Sequence, residues 1–356
     1  MSAGGSLFVR RALLLAVAPT AAAAVLGGLG RLGIVEGLAA AHAPAHGPLF
    51  VLGVFLTVIS LERAVALGAG WSLGVPAVAA SGAAGMLAGV AGAAWVSAGA
   101  ALGLVAVNAA IVRRQSAVFT WLMLLGATAL ASGTVAWAVG QPVSAVAPAW
   151  IAFFVLTIAA ERLELSRLAP TPRWATWVLA SVSVALAGLS LALAFGRPAP
   201  AWALGAALAL IGAWQLRFDL ARRLVRQRGL PRFSAAGVLA AATWLLASGA
   251  VVALRGSGDA SGPAYDLALH GVLIGYVLSM VFAHAPIILP AVARVQVPFR
   301  GTYYAPLAAL HGGLLLRAAG DLLPDASLRR AGTLGNALAL ALFAATVLHA
   351  RLRPAR

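Results

Sequence analysis

The chain contains neither cysteine nor lysine, and only 10% of its 356 residues are charged. The absence of cysteine excludes disulfides, thiolate metal sites and cysteine nucleophiles. The absence of lysine excludes the phosphate-binding loop of nucleotide hydrolases, which needs a lysine after its last glycine. An ordinary globular domain is about a quarter charged, so this composition also excludes a typical water-soluble protein.

Hydrophobic residues make up 62% of the chain, and its mean hydropathy is +0.96. About 20 apolar residues in a helix cross a bilayer core of about 30 Å. Runs of that size predict an all-α, polytopic integral membrane bundle of about 12 transmembrane helices, in a single transmembrane domain over residues 1–356. The predicted spans lie near residues 12–30, 47–67, 71–91, 94–112, 117–139, 145–160, 174–196, 199–216, 235–254, 265–289, 303–319 and 331–350.

All 25 basic residues are arginines. With both termini in the cytoplasm, 19 of these 25 arginines fall on the cytoplasmic side, as the positive-inside rule requires. The cytoplasmic set is Arg10, Arg11, Arg63, Arg113, Arg114, Arg162, Arg167, Arg173, Arg217, Arg222, Arg223, Arg226, Arg228, Arg232, Arg294, Arg300, Arg351, Arg353 and Arg356. The outer side has Arg31, Arg197, Arg255, Arg317, Arg329 and Arg330, beside Asp259, Asp266, Asp321 and Asp325. This distribution attributes the positive charge to the orientation of the chain in a lipid bilayer, so binding to nucleic acid is not needed to explain it. The residue usage indicates a bacterial inner membrane.

Two predicted spans end in similar segments, 55–63 and 154–162, at a constant offset of 99 residues. The similarity is either a parallel internal repeat or chance. A glutamate, Glu62 or Glu161, precedes the last arginine of each segment. Intramembrane acids are candidate proton carriers, but an ion pair that anchors the helix end at the interface is the stronger interpretation of both residues.

Six histidines are the main groups able to do chemistry, and three of them lie towards the outer side of the predicted bundle. His42 and His46 form a His-x-x-x-His pair, which lies on one face if the segment is helical. Pro44 lies between them, so a loop is the alternative. His270 lies near the outer end of the tenth predicted span. His42, His46 and His270 are therefore the candidate metal ligands of an outer site.

His284 follows His270 by fourteen residues, which in a helix is about 21 Å of rise and about 40° of rotation. Both histidines therefore lie on one helix face, together with Met280. Pro286 is expected to kink the helix just beyond His284. His311 lies near the middle of the eleventh predicted span, at the depth of His284. His270, His284, His311 and Met280 are the candidate cofactor-binding residues.

Neutral imidazole is the protein ligand that suits copper, zinc and haem iron when sulfur is absent. Two depth-matched groups of histidines favour such ligation. The alternative is that each buried histidine only donates a hydrogen bond to, or accepts one from, a neighbouring helix. Glycines at Gly126, Gly133, Gly188 and Gly249 predict close packing of helices, with broken helices at a transport site as the alternative.

The second, tenth and eleventh predicted spans resemble the NnrS family, multi-span bacterial membrane proteins that are associated with nitric oxide and described as binding haem and copper. The resemblance includes the twelve-span plan. It lies in His270-x4-Gly275-x4-Met280, in Leu314-Leu315-Leu316-Arg317, and in His42 and His46 followed by Gly53-Val54-Phe55-Leu56-Thr57. By position, it implies that His42, His46 and His270 bind haem or copper.

This sequence departs from the family in two places. Gly47 and Pro48 stand where the family usually has glutamate and methionine. Residues 283–286, Ala-His-Ala-Pro, replace the family's glycine-histidine-threonine-glycine-arginine segment. His284 and His311 are therefore candidates by their depth in the bundle and not by the resemblance.

The expected function is that of a haem- or copper-binding membrane protein that serves nitric oxide response or redox sensing. Its expected partners are the lipid bilayer, nitric oxide or another diatomic gas, and a redox partner. Enzymatic turnover is left open. One alternative is a proton-coupled secondary transporter, in which the histidines and Glu62 or Glu161 relay protons. A second alternative is a membrane factor that delivers copper or haem.

Overall fold

The computed structural model describes residues 3–168, 171–256 and 262–352, and it is 85% helix, with no strand in these ranges. The prediction of an all-α chain is confirmed. Asp259, Arg353 and Arg356 lie outside the described residues. The twelve longer helices of the described ranges are α1 (Ala3–Arg31), α2 (His46–Leu67), α3 (Gly74–Leu87), α4 (Ala93–Arg114), α5 (Val118–Ala138), α6 (Val143–Leu165), α7 (Arg173–Ala194), α8 (Ala201–Phe218), α9 (Leu230–Arg255), α10 (Pro263–Ala293), α11 (Tyr304–Leu322) and α12 (Ala326–Leu352).

Each of these helices coincides with one of the apolar runs, because a run of about 20 apolar residues satisfies its backbone polar groups in lipid only as a helix. Within the described ranges, ten helices are long and apolar enough to cross a membrane. The two that fall outside this set are α3, which has 14 residues, and α11. The chain is therefore a multi-pass helical membrane protein, while the count of twelve spans stays a prediction.

The third and fourth predicted spans form two helices with a tight turn between them. α3 ends at Leu87 and α4 begins at Ala93. Gly89 and Gly92 in the turn have φ angles of +65° and +88°, which favour glycine because it has no Cβ. The turn lies a few residues before the position that the sequence indicated.

Two helices contain π-helical segments, Leu49–Phe55 in α2 and Gly271–Leu278 in α10. The first follows His46 by three residues, and the second directly follows His270. π-helical turns are rare and frequently occur at functional sites. Hydrophobic periodicity did not predict either segment.

The chain divides into two compact units. The first contains the described residues up to Thr157 together with Ser190–Pro198. The second contains Ile158–Leu189 and the described residues from Ala199 onwards. Thus α1 to α5 lie in the first unit, α8 to α12 lie in the second, and α6 and α7 contribute residues to both.

Glycines allow close contact between helices inside each unit. A Cβ on Gly249 of α9 would collide with the backbone of α8, and one on Gly126 or Gly133 of α5 would meet α6 at 3.2 and 2.9 Å. A Cβ on Gly188 would meet no atom within 4 Å. Three of the four glycines singled out in the sequence therefore lie at helix contacts, and Gly188 does not.

Candidate functional site

A group of charged and polar side chains in the second unit joins α10, α11 and α12 near His270. We call Asp266, His270, Arg317 and Thr333 the Arg317 cluster. Arg317 donates through Nε and Nη2 to the two carboxylate oxygens of Asp266, each at 2.8 Å. Its Nη1 donates to Thr333 Oγ1 at 2.9 Å. This bidentate pairing is the strongest geometry between a guanidinium and a carboxylate.

The ring of His270 lies between Asp266 and Arg317. Its Nδ1 is 3.0 Å from the Asp266 carbonyl oxygen and 3.2 Å from Asp266 Oδ1. Its Nε2 is 3.5 Å from Nη2 of Arg317. A guanidinium can only donate, so the contacts fit a neutral imidazole with its proton on Nδ1.

The Arg317 cluster continues along α11 and α12. Thr333 donates to the carbonyl oxygen of Arg329 at 2.9 Å, and Arg329 Nε is 2.6 Å from Asp321 Oδ1. Two aspartates, Asp266 and Asp321, and two arginines, Arg317 and Arg329, therefore belong to one network. Networks of this kind are costly to break, since removing one member leaves a buried charge without its partner.

A second cluster lies near His284, and we call Arg162, Asp219 and His284 the Arg162 cluster. Nη1 of Arg162 is 3.2 Å from Nε2 of His284, and its Nε is 3.5 Å from Oδ2 of Asp219. Nδ1 of His284 is 2.8 Å from the Met280 carbonyl oxygen, four residues earlier. Arg162 and Asp219 have side-chain exposures of only 9% and 2%.

The two clusters repeat one arrangement fourteen residues apart on α10. In each, histidine Nδ1 faces the carbonyl oxygen of the residue four positions before it. In each, Nε2 faces a guanidinium that is paired with an aspartate. Protonating either imidazole on Nε2 would turn this contact from an attraction into a repulsion between two cations. The charge state of each histidine is therefore coupled to the position of its arginine.

Tyr276, in the π-helical segment of α10, lies close to the Arg162 cluster. Its hydroxyl accepts a hydrogen bond from Gln215 Nε2 of α8 at 2.7 Å, and both side chains are fully buried. Glu161, Arg162 and Asp219 interact electrostatically with this hydroxyl. Four polar or charged residues therefore surround His284 or Tyr276: Glu161 and Arg162 of α6, Gln215 of α8, and Asp219 directly after α8.

His311 has partners of its own. Trp244 Nε1 donates to His311 Nδ1 at 3.1 Å, and His311 Nε2 is 3.3 Å from Ser279 Oγ. Ser279 Oγ in turn donates to the Gly237 carbonyl oxygen at 2.9 Å. These three contacts form one consistent chain of donors if the ring carries its proton on Nε2.

His42 and His46 belong to the first unit, between α1 and α2. His42 is half-buried in a turn. His46 begins α2, with Nδ1 2.6 Å from the Ala24 carbonyl oxygen and its ring edge-on to Phe50 at 5.4 Å between centroids. A Cβ on Gly28 would lie 2.6 Å from the His46 ring. A glycine is therefore required on α1 for the imidazole to pack there.

The two similar segments of the sequence end in different contacts. Arg63 pairs with Glu62 at 2.8 Å and donates to Met123 Sδ. Arg162 instead contacts His284 and Asp219. The anchoring ion pair expected at the first segment is present, while the second segment contributes its arginine to a buried cluster.

Residues 70–74 read Gly-Trp-Ser-Leu-Gly, a spacing that also occurs around the nucleophilic serine of α/β-hydrolases. Ser72 is fully buried, and its hydroxyl donates to the carbonyl oxygens of Ala64 and Ala69 at 3.2 and 2.6 Å. The segment connects two helices, whereas the hydrolase motif connects a strand to a helix. Ser72 therefore has a structural role in this turn.

Four of the predicted site residues have side-chain partners of their own in the structure: His46, His270, His284 and His311. His270 and His284 lie on α10 as predicted, but the arginines and aspartates that contact them were assigned to loops or left out. Met280 contributes its backbone carbonyl to His284. Across the described ranges, no group of three or more His, Asp or Glu residues has the arrangement of a metal site. The spacing of Asp266 and His270, four residues apart, was the one sequence signal of their contact.

The fold and the buried clusters together define a multi-pass helical membrane protein with ionisable side chains inside its second unit. The chain belongs to the family described as a domain of unknown function, DUF8744, whose model matches residues 10–352. No curated protein matches it.

Proposed function

We propose that this protein is a proton-coupled secondary transporter, in which α10 carries two histidines whose protonation moves a neighbouring arginine. The observation that carries this proposal is the repeated arrangement of histidine, arginine and aspartate at His270 and His284. Ionisable residues inside a membrane protein are costly and commonly mark proton or substrate paths. Histidine is the side chain best suited to exchange a proton near neutral pH.

The contacts suggest how a proton would be coupled to movement. A proton added to Nε2 of His284 displaces the Arg162 guanidinium, which has Asp219 as its second partner. A proton added to His270 in the same way acts on Arg317, whose contacts join α10 to α11 and α12. Each protonation event therefore changes an ion pair between helices, which is the kind of two-state contact that alternating access requires.

The proposal is tested by currents that follow a rapid pH change at a supported membrane of proteoliposomes, which needs no transported substrate. The wild-type protein is expected to displace charge when the pH falls, and His284→Gln is expected to give a smaller current, because only His270 of the two histidines can then take up a proton. Glutamine keeps an acceptor for Arg162 but cannot take up a proton at neutral pH.

His349→Gln is the matched control, because His349 is exposed near the cytoplasmic end of α12 in the predicted topology. It is expected to keep the wild-type current. A wild-type current equal to that of protein-free liposomes would contradict the proposal, as would a full current in His284→Gln.

A second candidate function is the haem- or copper-binding protein that the NnrS resemblance implies, in nitric oxide response, redox sensing or metal delivery. One observation favours it: Nδ1 of His46 contacts a backbone carbonyl, as the non-ligating nitrogen of metal-bound histidines commonly does. His42 and His46 are its candidate ligands in the first unit. His270 and His284 fit a metal poorly, since a guanidinium faces Nε2 of each.

We also propose that the chain crosses a bacterial inner membrane twelve times, with both termini in the cytoplasm. The support is the placement of 19 of the 25 arginines on one side. In this topology α3 and α11 both cross the bilayer. α3 has only 14 residues, so we propose that it crosses the bilayer together with the turn that precedes it, Gly70–Leu73.

The absence of cysteine allows the topology to be mapped with single introduced cysteines. Leu38→Cys and Leu323→Cys are expected to react in intact cells with a membrane-impermeant maleimide, because these exposed residues fall on the outer side. Gln115→Cys and Gln227→Cys are expected to react only after permeabilisation. If Gln115→Cys reacts in intact cells, α3 does not cross the membrane. If Leu323→Cys fails to react in intact cells, α11 does not cross it.

A further inference from the structure

Two buried oxygen atoms at the end of α8 have no hydrogen-bond donor among the residues that the structure describes. They are Oε1 of Gln215 and Oδ2 of Asp219, and the latter has an ion-pair contact with Arg162 Nε at 3.5 Å but no hydrogen bond. Gln215 is fully buried and Asp219 is 4% exposed. Leaving a buried acceptor unsatisfied costs about 1–3 kcal/mol, so two such atoms in one place call for a donor.

The positions of the two residues allow one proton to satisfy both atoms. Asp219 follows Gln215 by four residues, directly after the last residue of α8, and side chains with this spacing are neighbours on a helix surface. The other oxygen of Asp219, Oδ1, accepts a hydrogen bond from the Ala221 amide at 2.8 Å. A proton on Oδ2 would turn that oxygen into a donor to Gln215 Oε1.

We propose that Asp219 is a proton-binding residue, whose protonated Oδ2 donates a hydrogen bond to Gln215 Oε1. This inference rests on the proposed function for its role in transport, but the protonation itself can be measured separately. Gln215 is the positioning residue, since its Nε2 is held by the Tyr276 hydroxyl at 2.7 Å and its Oε1 is thereby left to accept.

The electrostatic surroundings of Asp219 are consistent with a bound proton. Burial raises the pKa of Asp219, and the Arg162 charge and the Ala221 amide offset this only in part. The charged or titratable groups that face this region are Glu161 and Arg162 of α6, and Tyr276 and His284 of α10. With Asp219 protonated, Glu161 and Arg162 are one negative and one positive charge.

Loss of the proton has a defined consequence for His284. The Oδ2–H bond breaks, the proton leaves to water, and its electron pair stays on the carboxylate. The carboxylate attracts Arg162, whose Nε lies 3.5 Å from Oδ2, and draws Nη1 away from His284 Nε2. The lone pair of His284 Nε2 can then accept a proton. Asp219 and His284 therefore take up protons alternately, with Arg162 as the group that moves between them.

Infrared difference spectroscopy of the full-length protein in liposomes tests this proposal, because a protonated carboxyl gives a carbonyl band that a carboxylate lacks. At neutral pH, the wild type is expected to show a band that is absent in Asp219→Asn. In Gln215→Leu, this band is expected to move to higher frequency, because the carboxyl loses its hydrogen-bond acceptor. Asparagine has nearly the shape of a protonated aspartate, so the folded protein is retained.

Asp325→Asn is the matched control. The backbone amides of Leu328 and Ser327 lower the pKa of Asp325, so this residue is ionised at neutral pH and its replacement should leave the band unchanged. Identical carboxylic-acid bands in the wild type and Asp219→Asn would overturn the proposal. If the band depends on Asp219 but the wild type gives no current after a pH jump, the proton site is supported and the transporter function is contradicted. If the wild type gives the current but no band that depends on Asp219, the transporter function is supported and the proton site is contradicted.

Discussion

Replacing Arg317 by methionine is expected to destabilise the protein by about 3 kcal/mol, near the lower end of the range for breaking a buried ion pair. The variant leaves the Asp266 carboxylate without its bidentate partner and Thr333 without its donor. The lower end applies because the Asp266 side chain is 22% exposed, compared with 8% for Arg317. Equilibrium unfolding in mixed detergent micelles measures the loss.

Two further variants distinguish the loss of the Arg317–Asp266 ion pair from the loss of one positive charge. Arg330→Met removes an exposed arginine of α12 and is expected to change the free energy of unfolding by no more than about 0.5 kcal/mol. Adding Asp266→Asn to Arg317→Met is expected to restore part of the stability, because it removes the unpaired charge. An Arg317→Met protein as stable as the wild type would show that the cluster does not hold α10, α11 and α12 together.

Gly249→Leu is expected to prevent the second unit from folding normally. A Cβ at this position would collide with backbone atoms of Ala209 and Gly205 in α8, and backbone cannot move aside as a side chain can. Overpacking a core commonly costs about 1–3 kcal/mol and occasionally more, and a clash between two backbones belongs to the upper end. Size-exclusion chromatography and thermal unfolding in detergent are the measurements.

Gly188→Leu is the matched comparison, since it makes the same change in the middle of another helix. A Cβ on Gly188 would meet nothing within 4 Å, so this variant is expected to elute and unfold like the wild type. If both variants behaved alike, this would contradict the conclusion that Gly249 allows α8 and α9 to pack closely.

The helices could be predicted from the sequence because apolar runs determine them directly. In lipid, a run of about 20 apolar residues can satisfy its backbone hydrogen bonds by forming a helix, and the twelve runs correspond to α1 to α12. The turn between α3 and α4 was harder to place. Its position depends on Gly89 and Gly92, whose positive φ angles end one helix before the next begins, and no charge marks it.

The partners of the histidines could not be predicted, because they depend on contacts between helices. The positive-inside rule assigned Arg162 and Arg317 to loops by their charge. Both lie inside helices and are buried, since an aspartate on another element faces each of them. The prediction that His270 and His284 share a face assumed 3.6 residues per turn, a period that the π-helical segment Gly271–Leu278 between them does not keep. Their arginine contacts required the packing of residues of α6, α11 and α12, and of Asp219 after α8, around α10.

Nε2 of His270 and of His284 faces an arginine, and the proposed function requires that this nitrogen exchange protons and not bind a metal. Absorption spectra of the oxidised and dithionite-reduced protein, purified in detergent from cells supplied with haem and copper, test it most directly, with metal analysis on the same sample. The proton-coupled account predicts spectra without a Soret band and identical metal content in the wild type and His270→Ala. A Soret band that shifts on reduction and weakens in His270→Ala would contradict it.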